Sequence, residues 1–86
     1  MPSSSYTPVT VVEDGHVEIM KSIGKRLEEI RKKKNISVIN LCEDVKMSRT
    51  TYYRMSEGVI YFNTHKFFRI LEKLEISASD FFKDIK

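Results

Sequence analysis

The sequence predicts an all-α domain of five short helices, preceded by a short N-terminal β-hairpin or arm. From Ser22 onward, apolar residues recur at helical spacing, and a small polar residue stands where each later helix would begin. Near the N-terminus, valines and isoleucine instead flank an Asp-Gly pair, which is the pattern of a hairpin. We therefore divide the chain into an extension over residues 1–21 and a helical domain over residues 22–86.

Composition limits the possible functions. With 86 residues, 41% of them hydrophobic, the chain can build one small core and no roomy catalytic cleft. No apolar run approaches the roughly 20 residues of a membrane span, and no signal peptide is evident, so we expect a cytoplasmic protein. The single cysteine, Cys42, has no partner for a disulfide or a zinc site and is expected to pack as a small buried side chain.

Chemistry-bearing motifs are lacking in the sequence. It contains no nucleophile–base pair, no carboxylate pair and no glycine-rich phosphate loop. His16 and His65 are far apart and have no carboxylate pattern around them. We expect no enzyme activity, no cofactor and no metal.

Charge is distributed unevenly along the chain. All 15 Lys and Arg residues follow Met20, whereas Glu13, Asp14 and Glu18 precede it. The helical part is therefore basic, which favours a polyanion partner such as double-stranded DNA.

The helices are predicted from periodicity and caps. The first carries Ile23, Leu27 and Ile30 on one face. The second is expected to end near Lys46 and the third to end at Gly58, and only about three residues separate them, which is the spacing of a helix-turn-helix. The predicted N-terminal caps of the later helices are Ser37, Ser48, Asn63 or Thr64, and Ser77.

The N-terminal ribbon is predicted from "VTVVEDGHVEI". A type I′ turn needs positive φ at both central residues, and Asp14-Gly15 suits it. A lone two-stranded ribbon is marginal in water, so it lies on the helices, pairs with another chain or stays mobile.

Three segments in order carry a family resemblance: "IGKRLEEIRKKKNIS", "LCEDVKMSRTTYYRMSEG" and "FFRILEKLEISASDFF". Over residues 22–82 the chain resembles the Cro and lambda-repressor type (XRE-like) of helix-turn-helix DNA-binding proteins. The resemblance implies a five-helix repressor-like fold whose third helix enters the major groove. It places Tyr52 and Met55 in the core. The DNA-binding residues it implies are Ser48, Arg49, Thr50, Thr51, Tyr53 and Arg54.

The chemistry of these side chains agrees with that role. Arg49 can make a bidentate contact to guanine, and Thr50 can meet a thymine methyl group. Ser48, at a helix N-terminus, suits a phosphate oxygen. Tyr53 fits a place near DNA as well as simple packing. Candidate phosphate contacts are Ser37, Lys46, Lys32 and Lys33, although a basic run at a helix end is more often a solvated surface.

The chain departs from the family pattern at several positions. Val38 replaces a common glutamine at the start of the second helix. Lys46 and Glu75 replace glycines at helix ends, which costs on the order of 1 kcal/mol or changes the turn. Ser56 replaces the glutamate that usually pairs with the position of Arg31, so that pair is absent or rebuilt.

The loop after the third helix reads "VIYF", where the family usually has polar and basic residues. It is either buried beneath the fourth helix or exposed as a contact surface. One recognition helix reads only a few base pairs, so a homodimer is expected, with the ribbon favoured as its interface because it has no evident role inside the monomer. Candidate dimer or partner contacts are Val9, Val11, Val17, Ile19, Val59, Ile60, Tyr61 and Phe62.

Two functions follow as hypotheses. The first is a sequence-specific transcriptional regulator that binds DNA as a dimer. The alternative is a protein-interaction module on the same fold, such as a small phage or plasmid regulatory protein with weakened DNA binding, which Val38 and the apolar loop favour.

Overall fold

The computed structural model describes residues 11–83 and residue 85, and within them the chain forms five α-helices. A short 3₁₀ helix at Asp14–His16 precedes α1. The helices are α1 (Val17–Lys33), α2 (Val38–Val45), α3 (Arg49–Ser56), α4 (Thr64–Leu74) and α5 (Ala78–Phe82). The all-α prediction is confirmed for this part of the chain, where β structure amounts to one isolated bridge between Val11 and Ile60.

Side-chain caps begin the last four helices. In each case a serine or asparagine oxygen accepts the N–H of the residue three positions later, at 3.0 to 3.1 Å. The caps are Ser37, Ser48, Asn63 and Ser77, as the sequence predicts. Each cap satisfies one of the N–H groups that a helix start leaves without a partner.

Left-handed residues end the first four helices. Asn35, Lys46 and Glu75 have φ near 60°, and Gly58 has φ of 77°. After each of them the next residue donates its N–H to the carbonyl five positions earlier, which is the Schellman pattern. Lys46 and Glu75 therefore keep the turn that glycine usually makes, at a strain of roughly 1 kcal/mol each.

The N-terminal β-hairpin is a wrong prediction. Asp14 and Gly15 lie in the 3₁₀ helix, and α1 starts at Val17 rather than near Ser22, so the expected second strand is helical. Gly15 does not have the positive φ that a type I′ turn requires. Val9 lies outside the described residues.

The described part of the expected first strand, Val11 and Val12, pairs within the chain instead. Val12 donates its N–H to the Val59 carbonyl at 3.0 Å, and Val11 bridges Ile60 in antiparallel fashion. Val12 is only 7% exposed, so the segment adds an apolar side chain to the core. A helical α1 satisfies its own backbone groups, which a two-stranded ribbon with open edges does not.

The core lies where α1 packs on α3 and α2 packs on α4. α5 closes it through Phe81, whose ring meets that of Phe67 edge-on at 5.3 Å. Arg26 links α1 to α5, because its Nε donates to the Phe81 carbonyl at 2.9 Å. The most deeply buried large side chains are Tyr52, Phe81, Leu27, Leu41, Met55, Ile70 and Leu74. None of the helices formed by the described residues has the length and apolar character to cross a membrane.

Candidate nucleic-acid interface

The orientation of α3 is set by its two buried residues. Tyr52 is fully buried and Met55 nearly so, which confirms their prediction as core residues. The opposite side of the helix faces solvent and is polar. Its exposed residues are Arg49, Thr50, Tyr53 and Arg54, preceded by the exposed cap Ser48, and Thr51 is half-buried.

The start of α3 is held by a local pair of hydroxyl groups. The Ser48 hydroxyl oxygen accepts the Thr51 N–H at 3.1 Å, and the same hydroxyl donates to Thr51 Oγ1 at 2.9 Å. The first N–H groups of the helix point out of its N-terminus without intrahelical partners. Such an end attracts an anion, because the helix dipole is positive there.

α1 supports the rear of α3 at very short range. A methyl group at Gly24 would lie 2.0 Å from the Ser56 carbonyl oxygen, so only glycine fits at this crossing. The Tyr52 hydroxyl donates to Glu28 Oε2 at 2.5 Å. These two contacts anchor the helix from its middle to its C-terminal end.

Glu28 accepts hydrogen bonds from side chains of two helices, Arg31 of α1 and Tyr52 of α3. Arg31 Nε and Nη2 donate to its two carboxylate oxygens at 2.9 and 2.8 Å, while Arg31 Nη1 donates to the Ile36 carbonyl at 2.7 Å. In the family, the position of Arg31 usually pairs with a glutamate at the position of Ser56. Here Arg31 pairs with Glu28 of the same helix, at a spacing of three residues that brings side chains together on a helix.

The hydrogen bonds from Arg31 lower the pKa of Glu28, against an opposing effect of burial. Burial, with help from Glu28, raises the pKa of Tyr52 well above its ordinary value. Glu28 is therefore a carboxylate and Tyr52 a neutral donor at neutral pH.

A family comparison agrees with this geometry. The family model described as "Helix-turn-helix domain" matches residues 24–85, which is most of the chain. The chain belongs to the XRE-like helix-turn-helix family. Members are DNA-binding regulators, and the fold is not an enzyme fold. A search of curated proteins finds no significant match.

In this helix-turn-helix, α2 and α3 are the paired helices and Lys46, Met47 and Ser48 form the turn. A cleft of about 270 Å³ opens beside it. Its walls bring together three predicted DNA-contact residues, Lys46, Ser48 and Thr51, with the aromatic pair Tyr61 and Phe62.

The other candidate phosphate contacts lie on the surface. Lys32 and Lys33 are exposed in the last turn of α1, and Ser37 is exposed but already serves as the α2 cap. Val38, which stands where the family commonly has glutamine, is 9% exposed and belongs to the core. DNA contact by Lys32, Lys33 and Ser37 stays a prediction.

The candidate partner residues fall into two groups. Val11, Ile19 and Val59 are exposed and present apolar surface. The remaining described members are covered within the chain: Ile60 is 3% exposed, and Val17, Tyr61 and Phe62 are half-buried.

The loop that contains Tyr61 and Phe62 is held to the rest of the domain by these two aromatic side chains. The Phe62 ring stacks on Phe67 at 4.3 Å between centroids. The Tyr61 hydroxyl bonds His16 Nδ1 and accepts the Glu13 N–H at 3.4 Å. Both expectations for "VIYF" therefore hold in part, because Ile60 is buried and Val59 is exposed.

Sequence reasoning missed Lys66. Its Nζ donates to the carbonyls of Val45 and Lys46, at 2.9 and 3.0 Å, and so joins α4 to the turn. No spacing rule links residues 20 positions apart on different helices, so the sequence carries no signal for this contact.

Neither a reactive thiol nor a metal site is found among the described residues. Cys42 is buried, and burial raises the pKa of its thiol, so a thiolate is disfavoured. Across residues 11–83 and 85, no three His, Cys, Asp or Glu side chains come together as they would around a metal ion.

Proposed function

We propose that this helix-turn-helix protein is a sequence-specific transcriptional regulator that reads the major groove with α3 and binds as a two-fold dimer. The observation that supports this most is the polar, solvent-facing side of α3, opposite a side anchored by Tyr52 and Met55. A face without such anchoring could not hold side chains at fixed positions against base edges.

Each side chain on that face has a suitable partner in DNA. Arg49, at the leading position, can donate two hydrogen bonds to guanine O6 and N7. Thr50 suits a thymine methyl group, and Arg54 lies further along the same helix. Ser48 and the free N–H groups of the first turn suit a phosphate. The lysines near the helix ends, Lys46 above all, would add phosphate contacts.

Dimerisation is part of the proposal because α3 is short. One helix reads only a few base pairs, whereas a dimer places two recognition helices about 34 Å apart on successive turns of the groove. The exposed apolar side chains Val11, Val59, Phe68 and Phe82 supply surface for such an association.

Selection from a random duplex library, with and without competitor DNA, tests the whole proposal. We expect an enriched two-fold symmetric sequence with half-sites about 10 base pairs apart. An enriched but asymmetric short site would contradict the dimer. No enrichment at all would contradict sequence-specific binding and favour the protein-interaction alternative.

Arg49→Ala tests the reading face directly. The variant should bind the selected site more weakly by about 1–3 kcal/mol and lose preference at one base pair, while its affinity for random DNA changes little. Arg54→Ala should do the same at another base pair. Fluorescence anisotropy titrations with selected and scrambled duplexes measure both affinities.

Arg69→Ala is the matched control. Arg69 is a half-exposed arginine of α4 that pairs with Glu72 at 3.8 Å, so its removal changes the net charge equally without touching α3. It should leave base preference intact. Equal losses on selected and random DNA for Arg49→Ala would show that Arg49 reads no base.

A further inference from the structure

Lys66 lies in the first turn of α4 and reaches the end of α2. Its ammonium group donates to the Val45 carbonyl at 2.9 Å and to the Lys46 carbonyl at 3.0 Å. The last carbonyls of a helix have no partner inside that helix. The side chain thus satisfies two backbone groups that would otherwise rely on water.

The position of Lys66 is unfavourable for its own helix. A cation in the first turn opposes the helix dipole, and α4 has no acidic residue there to offset it. α2, by contrast, has no basic residue in its last turn. Lys66 therefore brings its ammonium group to the last turn of α2, which has no basic residue of its own before the C-cap Lys46.

The two carbonyls stand at the start of the turn that leads to α3. Lys46 holds a left-handed conformation without being glycine, so the turn carries strain and benefits from an external restraint. Met47 donates its N–H to the Cys42 carbonyl at 3.0 Å, and Ser48 then caps α3. A contact that fixes the Lys46 carbonyl consequently fixes the path into the cap.

The contacts that hold α3 against α1 lie further along the helix. Gly24 meets Ser56 at the C-terminal end, and Glu28 meets Tyr52 in the middle. The N-terminal end, which carries Arg49, directly follows the turn, where the Cys42 thiol donates to the Ser48 carbonyl at 3.9 Å and Lys66 holds the carbonyls of Val45 and Lys46.

We infer that Lys66 is a positioning residue for DNA reading, which acts by clamping the turn of the helix-turn-helix and not by touching a base. This inference rests on the proposed function. Hydrogen bonds to base edges require placement within about 0.5 Å, so a loosened turn should relax base preference. The effect on affinity for random DNA should be small.

Lys66→Met tests the clamp, because it keeps the apolar stem and removes the ammonium group. Lys73→Met is the control: Lys73 also joins α4 to α2, but through the Asp44 side chain at 2.6 Å and not through the carbonyls of Val45 and Lys46. Lys66→Met should lower the ratio of selected-site to random-site affinity by about tenfold, whereas Lys73→Met should not.

Salt dependence separates a clamp from a phosphate contact. For a clamp, the slope of log affinity against log salt stays at the wild-type value in Lys66→Met. A slope reduced by about 0.9, with equal losses on selected and random DNA, would show that Lys66 binds a phosphate and would overturn the inference.

Hydrogen exchange in the absence of DNA gives an independent test. The amides of Met47 and Thr51 should exchange faster in Lys66→Met, stay as in wild type in Lys73→Met, and recover in Lys66→Arg, whose guanidinium can donate to both carbonyls. Unchanged exchange at both amides in Lys66→Met, or an arginine variant as defective as the methionine variant, would overturn the clamp. If wild-type protein prefers no DNA sequence, the proposed function fails and this measurement still decides the clamp.

Discussion

Glu28 is a charged side chain of α1 that connects it to α3 behind the DNA-facing side. Its Oε2 accepts from both Arg31 Nε and the Tyr52 hydroxyl. The hydrogen bonds from Arg31 place the pKa of Glu28 below its ordinary 4.5 in the folded protein. A lowered folded pKa means that the unfolded chain binds the proton more readily. The stability from Glu28 is therefore present above the ordinary pKa and is lost as pH falls through the folded pKa.

Glu28→Gln should make this pH dependence visible. At pH 7 the variant should unfold with a free energy about 1 to 2 kcal/mol lower, because Arg31 loses its ionic partner in a partly buried place. Between pH 5 and 3 its stability should fall less than that of wild type, since it lacks the carboxylate that must be protonated. Urea unfolding at a series of pH values measures both effects.

Glu29→Gln removes the same charge from the exposed neighbouring position. It should keep the wild-type pH profile. Identical profiles for the two variants would show that the Glu28 carboxylate contributes nothing specific to folding.

At the scale of helices, the crossing of α1 and α3 decides how α3 is presented. Gly24 allows the two helices to approach until its Cα faces the Ser56 carbonyl. Glycine inside a helix ordinarily costs about 1 kcal/mol relative to alanine, so α1 gives up intrinsic helix stability at this point. The close approach buries the apolar faces of both helices in return.

Gly24→Ala should therefore destabilise the protein, against the trend for helices. The added methyl group would meet backbone that cannot move aside, so we expect a loss of about 1–3 kcal/mol or more in the free energy of unfolding. Thermal and urea unfolding measure it. The matched control is Gly15→Ala, where an added methyl group meets no atom within 4 Å. A Gly24→Ala protein as stable as the control would mean that the helices do not cross this closely.

At the scale of the whole molecule, residues 11–16, just before α1, pack on the loop that follows α3. Val12 is buried, its N–H pairs with Val59, and the Tyr61 hydroxyl bonds His16. The segment thus has a role inside the monomer, which removes the reason for favouring it as the dimer interface. A chain shortened to begin at Met20 would lose this packing along with any intermolecular contact.

Val12→Ala and Val11→Ala distinguish the packing of this segment on the core from its exposed surface. Val12 is 7% exposed and Val11 is 69% exposed, so the same substitution at adjacent residues differs only in burial. Val12→Ala should lower the free energy of unfolding by about 2 kcal/mol, and Val11→Ala by less than about 0.5 kcal/mol. Equal effects in urea unfolding would show that the segment does not pack on the core. Sedimentation of the Val11 variant then reports on association without loss of stability.

The sequence by itself determined what depends on neighbours within a few positions. The caps at Ser48 and Ser77 form with backbone amides three residues away. The family resemblance placed Tyr52 in the core and Arg49 on the DNA-facing side, and the structure buries Tyr52 and exposes Arg49. The polar face of α3 was therefore predictable before any tertiary contact was known. Local hydrogen bonds and periodic burial act over distances that the sequence displays directly.

Only the tertiary structure decided which elements meet. Asp14-Gly15 satisfies the local rule for a hairpin, yet Val12 pairs with Val59, because burial of that valine on the core outweighs an exposed two-stranded ribbon. Likewise, Lys66 lies in α4 but donates a hydrogen bond to the Val45 carbonyl at the end of α2. Such contacts depend on the three-dimensional arrangement that many weak packing interactions produce together, and no window of the sequence contains both partners.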